Sequence, residues 1–146
     1  MKQVKQTLYA VTITLGLLSV AHAQPLRFAT EGAYPPFNYV DSNNQLRGFD
    51  VDMANALCAR LGVECTIVAQ DWEGIIPGLL AKKYDAIIAS MAITEERQKT
   101  VSFTQPYNRT RMVLAVPRGS DIQDAAPATL AGKTVGAQSS STQGIY

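Results

Sequence analysis

The stretch from Tyr84 to Thr100, Y-D-A-I-I-A-S-M-A-I-T-E-E-R-Q-K-T, gathers side chains suited to holding an anion. Ser90 offers a hydroxyl, and Arg97 offers a guanidinium whose forked N–H groups match the two oxygens of a carboxylate. Ala86 to Ala89 is a short apolar run with two isoleucines, the composition of a buried strand. Thr94 is a good N-cap, and Glu95 and Glu96 suit the positive end of a helix dipole. A strand, a tight loop and a helix start therefore present backbone N–H groups on one side, with Arg97 able to fold back over them as an anion clamp. The competing reading is ordinary: an arginine in a first helical turn also serves as a solvated charge or as the partner of its own glutamates.

Such a junction needs a sheet behind it. Leu26 to Thr30 reads as a strand, followed by a loop containing Gly32, Pro35, Pro36 and a turn over Asp41 to Asn44. From near Phe49, Val51, Ala54, Cys58 and Leu61 step along one helical face with Leu57 beside them, while Asp50, Asp52 and Arg60 lie elsewhere. Val63 to Ala69 forms a second strand. Trp72 to Lys83 forms a second helix, with Ile75, Ile76, Leu79 and Leu80 facing inward. Pro77 is best accommodated if that helix starts only at Ile76, which puts the proline in the favoured first turn.

Strands alternating with helices argue a mostly parallel sheet covered on both faces, with ligands beyond the carboxyl ends of the strands. Those ends carry Glu31 and Tyr34, then Asp71 and Trp72, then Ser90. Two aromatics beside a carboxylate suit a pocket rim, although either alone would serve equally as core filler. Further along, Met112 to Val116 reads as an apolar strand closed by Pro117 and Gly119. Pro127 to Ala131 reads as a short helix stopped by Gly132, Thr134 to Ala137 as a strand, and Ser139 onward as a helix start.

Met1 to Ala23 is set apart from the fold. Lys2 and Lys5 precede an apolar core, Leu8 to Val20, too short and interrupted to span a bilayer, and Ala21-His22-Ala23 is an A-x-A cleavage site. A cleaved secretory leader is expected, with a membrane anchor as the alternative. Without Lys2 and Lys5 the chain holds 11 basic against 12 acidic residues, so neither nucleic acid nor an anionic membrane is indicated as a partner. The only histidine, His22, leaves with the leader. That excludes a Ser-His-Asp triad, a Cys-His pair and a histidine-ligated zinc, and no catalytic residue, metal ligand or cofactor is expected. Cys58 and Cys65 are an even pair in an exported chain, with Gly62 between them to turn the backbone, which favours a disulfide over two buried thiols.

The blocks A-T-E-G-A-Y-P-P-F from Ala29, G-F-D-V-D-M from Gly48, D-W-E-G-I-I-P-G-L from Asp71, the Tyr84 to Thr100 stretch and S-S-S-T-Q from Ser139 occur in an order that resembles family 3 of the bacterial solute-binding proteins, closest to the lysine, arginine, ornithine and opine binders. The resemblance implies an α/β, periplasmic-binding-protein-like (type II) two-lobed fold, of which the chain holds lobe one and the beginning of lobe two. Residues 24–113 would form an incomplete lobe one, 114–117 a hinge strand and 118–146 the start of lobe two, with F-T-Q-P-Y from Phe103 leading into the hinge. It further implies a monomeric periplasmic protein that takes an amino acid and delivers it to the permease subunits of an ATP-driven importer. Ser90, Arg97 and the backbone around Ala92 would hold the ligand carboxylate, and Thr142, with Gln143 beside it, would reach it from lobe two. Tyr34 and Trp72 would flank the ligand side chain, and Glu31 would meet its cationic end unless it pairs with Arg27. Two departures from the pattern stand at Ala89 and Ala92, where basic amino-acid binders commonly carry hydroxyl residues.

Two other function classes share the fold: a cyclohexadienyl dehydratase, for which Glu31 is the obvious acid or base, and the sensor domain of a larger signalling protein. The chain stops early in lobe two, as expected of a fragment or of a truncated gene product.

Overall fold

The computed structural model describes residues 24–145, so the leader expected over Met1 to Ala23 lies outside the described residues. Strand β1 (Leu26–Thr30) is central to a three-stranded sheet ordered β5-β1-β6, where β5 is Cys65–Ala69 and β6 is Ala86–Ile87. Both neighbours run parallel to β1, with Leu26 opposite Cys65, Thr30 opposite Ala69, and Phe28 opposite Ala86. Alternation along β1 sends successive residues to opposite faces. Phe28 packs with Ala54 and Cys58 of helix α1 (Phe49–Leu61), whereas Ala29 packs with Ile75 of helix α2 (Trp72–Leu80), Tyr84 and Ala89. The sheet is thus covered on both sides, as its apolar run requires.

Three short strands form a second, antiparallel sheet that the loop residues did not announce: β2 (Ala33–Tyr34), β3 (Asn38–Val40) and β4 (Leu46–Arg47). The Asp41 turn joins β3 to β4, its carboxylate accepting from the N–H groups of Asn43 and Gln45. Gly48 then starts α1 at φ 113°, where an added Cβ would lie 2.5 Å from the Phe37 carbonyl oxygen. Glycine is required there for both backbone conformation and close approach.

Several expectations about faces and boundaries are corrected. Leu61 and Leu57 are exposed, whereas Asp50, assigned to the outside of α1, is fully buried with Val51, Ala54 and Cys58. Leu80 is also exposed. Helix α2 begins at Trp72, not Ile76, so Pro77 sits inside it. The helix continues beyond the proline because Ala81 still donates to the Pro77 carbonyl, leaving the break at the missing proline N–H. Gly62 stops α1 in the left-handed conformation, and the disulfide from Cys58 to Cys65 ties the last turn of α1 to the first residue of β5.

The strands expected at Met112 to Val116 and Thr134 to Ala137 are not formed. Neither segment pairs with a strand among the described residues, and Val113 is 81% exposed. An apolar run becomes a strand only where a partner takes up its backbone groups. Pro127 to Ala131 makes turns rather than a helix. Helix α3 (Glu95–Gln98) and the single turn α4 (Thr142–Ile145) complete the described elements, none of which is long and apolar enough to cross a membrane.

Candidate functional site

At the carboxyl ends of β1 and β5, Glu31, Ala33, Asp71, Trp72, Glu73, Gln138 and Ser139 line an open cleft of about 320 Å³. Three of its side chains are carboxylates, and none has an ion-pair partner among the described residues. Arg27 does not neutralise Glu31. It pairs with Asp85 at 2.8 Å and also donates to the carbonyls of Lys82 and Lys83. Instead, the Gln138 amide donates to a Glu31 carboxylate oxygen, joining the late segment of the chain to the end of β1.

Arg97 is not among the residues that line this cleft but lies against Trp72, its guanidinium 5.2 Å from the centre of the indole ring. The residue starts from a capped helix: Thr94 Oγ1 accepts from the Arg97 N–H at 3.2 Å, as its position in the sequence predicts. The side chain folds back over the loop and donates to the Ala92 carbonyl at 2.9 Å and the Ser140 carbonyl at 3.1 Å. Trp72 Nε1 donates to the same Ser140 oxygen at 3.1 Å. Partial burial lowers the Arg97 pKa from its usual value, and no carboxylate among the described residues lies within ion-pair distance to offset that desolvation. A guanidinium whose acceptors among the described residues are carbonyls retains the capacity to take a carboxylate.

Ser90 is engaged elsewhere. It adopts φ 45°, its hydroxyl donates to Asp50 Oδ1 at 2.9 Å, and its backbone N–H donates to the Tyr107 hydroxyl at 2.8 Å. The Tyr107 hydroxyl in turn donates to Asp50 Oδ1 at 2.9 Å. Burial first, and then the Asp50 charge, push the Tyr107 pKa up to about 12, so the phenol remains a donor across the physiological range. Asp50 Oδ2 accepts from Asn38 Nδ2 at 2.7 Å, and Asn38 Oδ1 accepts from the Gly32 N–H at 2.8 Å.

The remaining expected residues are divided. Ala89 is buried in the core on the α2 side and is not among the residues that line the cleft. Tyr34 lies in β2 outside the cleft lining and packs on Phe37 with ring centres 5.0 Å apart, the first step of an aromatic row continued by Phe49 and Tyr107. Thr142 starts α4 and donates to Gln143 Oε1, and the contact of this segment with Arg97 is made by the Ser140 carbonyl. Asp50, Asn38 and Tyr107 were not singled out for the site.

Comparison with known proteins agrees with this architecture. The sequence profile of the bacterial extracellular solute-binding proteins, family 3, matches residues 26–142. The octopine-binding periplasmic protein of Rhizobium meliloti is 42% identical over 122 residues, which cover 84% of this chain and 42% of that protein. The L-arginine-binding protein of Pseudomonas aeruginosa is 42% identical over 132 residues, covering 90% of this chain and 51% of that one. The arginine-bound form of domain 1 from TmArgBP, of T. maritima, superposes with a TM-score of 0.55 at 50% identity, covering 56% of this chain and 65% of that domain. The chain spans about half the length of the curated relatives it matches. Its α/β fold corresponds to part of an amino-acid-binding periplasmic protein, and the chain belongs to the bacterial extracellular solute-binding proteins, family 3.

Proposed function

We propose that the chain carries the first lobe and the beginning of the second lobe of a periplasmic binding protein that captures a basic amino acid, or an opine built on arginine, for an ATP-driven importer. The boundaries are those read from the sequence: a leader over 1–23, lobe one over 24–113, a hinge over 114–117 and the start of lobe two beyond it. One observation carries the ligand class. Three carboxylates without an ion-pair partner among the described residues, Glu31, Asp71 and Glu73, line the cleft together with Trp72, and a guanidinium equally without one, Arg97, lies over the Trp72 ring. A molecule with a carboxylate at one end and a cation at the other neutralises both sets, whereas leucine or glutamate would leave one set unpaired. The similarity to the octopine-binding protein of Rhizobium meliloti and the L-arginine-binding protein of Pseudomonas aeruginosa supports the same class.

Ligand capture would proceed by exchange. Arg97 and Trp72 now share the Ser140 carbonyl, and a ligand carboxylate forming charge-assisted bonds to Arg97 would displace this weaker neutral acceptor. The backbone around Ala92, Thr142 and Gln143 would complete the carboxylate end. Glu31, released from Gln138, would meet the cation. The bound molecule leaves unchanged; incubation with prephenate or arogenate should give no turnover, and product formation would instead establish a dehydratase.

The testing experiment is titration of the chain with arginine, lysine, ornithine and octopine, against leucine and glutamate, read by calorimetry and by the fluorescence of Trp72, the only tryptophan. Saturable binding of the cationic set, weakened at least tenfold by Glu31→Gln, is expected. Equal binding of neutral and basic amino acids would overturn the ligand class.

A further inference from the structure

The loop that leads to Arg97 and the backbone next to Glu31 are both tied to one buried carboxylate. Asp50 is fully buried, and its two oxygens serve different segments. Oδ1 accepts from the Ser90 and Tyr107 hydroxyls, which fix the loop between β6 and α3; Oδ2 accepts from Asn38, whose side chain holds the Gly32 N–H next to Glu31. Ser90 is held at φ 45°, a conformation that a serine rarely adopts and that persists where the surroundings over-determine it. Here they do: the Tyr107 hydroxyl fixes its N–H, Asp50 fixes its hydroxyl, and Asn108 Nδ2 lies 3.4 Å from Ser90 Oγ. None of these groups lines the cleft.

We infer that Asp50 is a positioning residue that sets the spacing between the Arg97 loop and Glu31, and thereby selects ligands by length. The inference rests on the proposal that the cleft takes a cationic amino acid. A cation at Glu31 and a carboxylate at Arg97 can both be satisfied only when their separation matches the ligand, and Asp50 is bonded to the supports of both. Without it the two loops are free to shift relative to one another. A shorter cation then gains contacts it could not previously span, and a longer one loses its matched geometry.

The donors and acceptors permit a selective test. Asp50→Asn retains one oxygen for Ser90 and Tyr107 but turns an amide N–H₂ toward the Asn38 amide, so the arm to Gly32 breaks. Adding Asn38→Asp reverses the polarity of that contact and restores the arm, since a carboxylate accepts both from the new amide and from the Gly32 N–H. Dissociation constants for arginine and for 2,4-diaminobutyrate are measured by calorimetry on wild type, D50N and the double variant D50N/N38D, with thermal melting recorded for each. The expected result is a wild-type preference for arginine that falls at least about fivefold in D50N and returns in the double variant. Melting separates selection from folding, because a lower Tm with an unchanged affinity ratio overturns the inference. So does a D50N variant that does not fold while the folded double variant lacks the wild-type ratio, or a wild type that binds the two cations equally. A wild type that binds neither cation overturns the proposed function itself.

Discussion

Arg97 and Trp72 converge on a single acceptor, the carbonyl oxygen of Ser140, while the guanidinium lies 5.2 Å over the indole ring. The cation that stacks on this tryptophan is therefore the protein's own, and the ring braces the clamp as well as lining the cleft. Truncating Arg97 removes the guanidinium of the charge-assisted ligand pair, and the first prediction is that Arg97→Ala weakens binding of arginine by about 2–5 kcal/mol. Arg97→Lys should restore little, because an ammonium lacks the planar fork that contacts two carbonyls and a carboxylate. Calorimetry giving an unchanged dissociation constant for either variant would remove Arg97 from the site.

A second prediction concerns the fit between α2 and the loop before β6. Tyr84 is buried, its hydroxyl donates to the Ile75 carbonyl, and a Cβ added at Gly78 would lie 2.2 Å from that hydroxyl oxygen. Gly78→Ala should therefore destabilise the chain by about 1–3 kcal/mol, as overpacking of a filled core does. In the double variant with Tyr84→Phe the losses should be sub-additive, because removing the hydroxyl relieves part of the clash. Urea unfolding of the two single variants and the double closes the cycle, and strict additivity would show that Gly78 and Tyr84 are uncoupled.

These contacts show where sequence patterns were sufficient and where they were not. Strands β1 and β5, helix α1 and the Thr94 cap are local statements, written as apolar alternation, helical spacing and a hydroxyl before two glutamates. Strands β2, β3 and β4 are two or three residues long and cannot display a period. The burial of Asp50 was legible in principle: Asp50, Ala54 and Cys58 recur at i, i+4 and i+8, and polarity alone had placed the aspartate outside. Its partners Asn38, Ser90 and Tyr107 are far apart in sequence, so nothing local announced them. Met112 to Val116 failed for the complementary reason, since its apolar run has no neighbouring strand among the described residues.

The third prediction is a pH dependence. Arg27, through its guanidinium and then its backbone N–H, holds the Asp85 carboxyl down at about 2, below its ordinary value near 3.8. A depressed carboxylate binds fewer protons in the folded than in the unfolded chain, so its stabilisation is present above about pH 4 and is lost as pH falls towards 2. The pair is solvent-exposed and its contribution is small. Wild type should thus unfold at a higher urea concentration than Asp85→Asn at pH 6, and the gap should shrink steadily between pH 4 and pH 2. A gap that is constant over that window would show that ionisation of Asp85 is not its source.

The last prediction rests on Thr30, the end of β1, which is fully buried next to Glu31 with no hydrogen-bond partner for its hydroxyl among the described residues. Its backbone is used, since the Thr30 carbonyl accepts from Gln70 at 2.9 Å, but the side-chain oxygen has been taken out of water without compensation. Burying such a group costs about 1–3 kcal/mol, and valine has nearly the same shape without the hydroxyl. Strand alternation puts Thr30 on the face of β1 that carries Phe28, which packs on Ala54 and Cys58 of α1. Thr30→Val should raise stability by about 1 kcal/mol and Tm by several degrees, contrary to the usual cost of exchanging these two residues in a core. Arginine affinity measured on the same variant distinguishes the two uses of the position. A more stable chain with unchanged affinity is the expected outcome, whereas loss of affinity would show that the Thr30 hydroxyl turns towards the ligand when the site is filled.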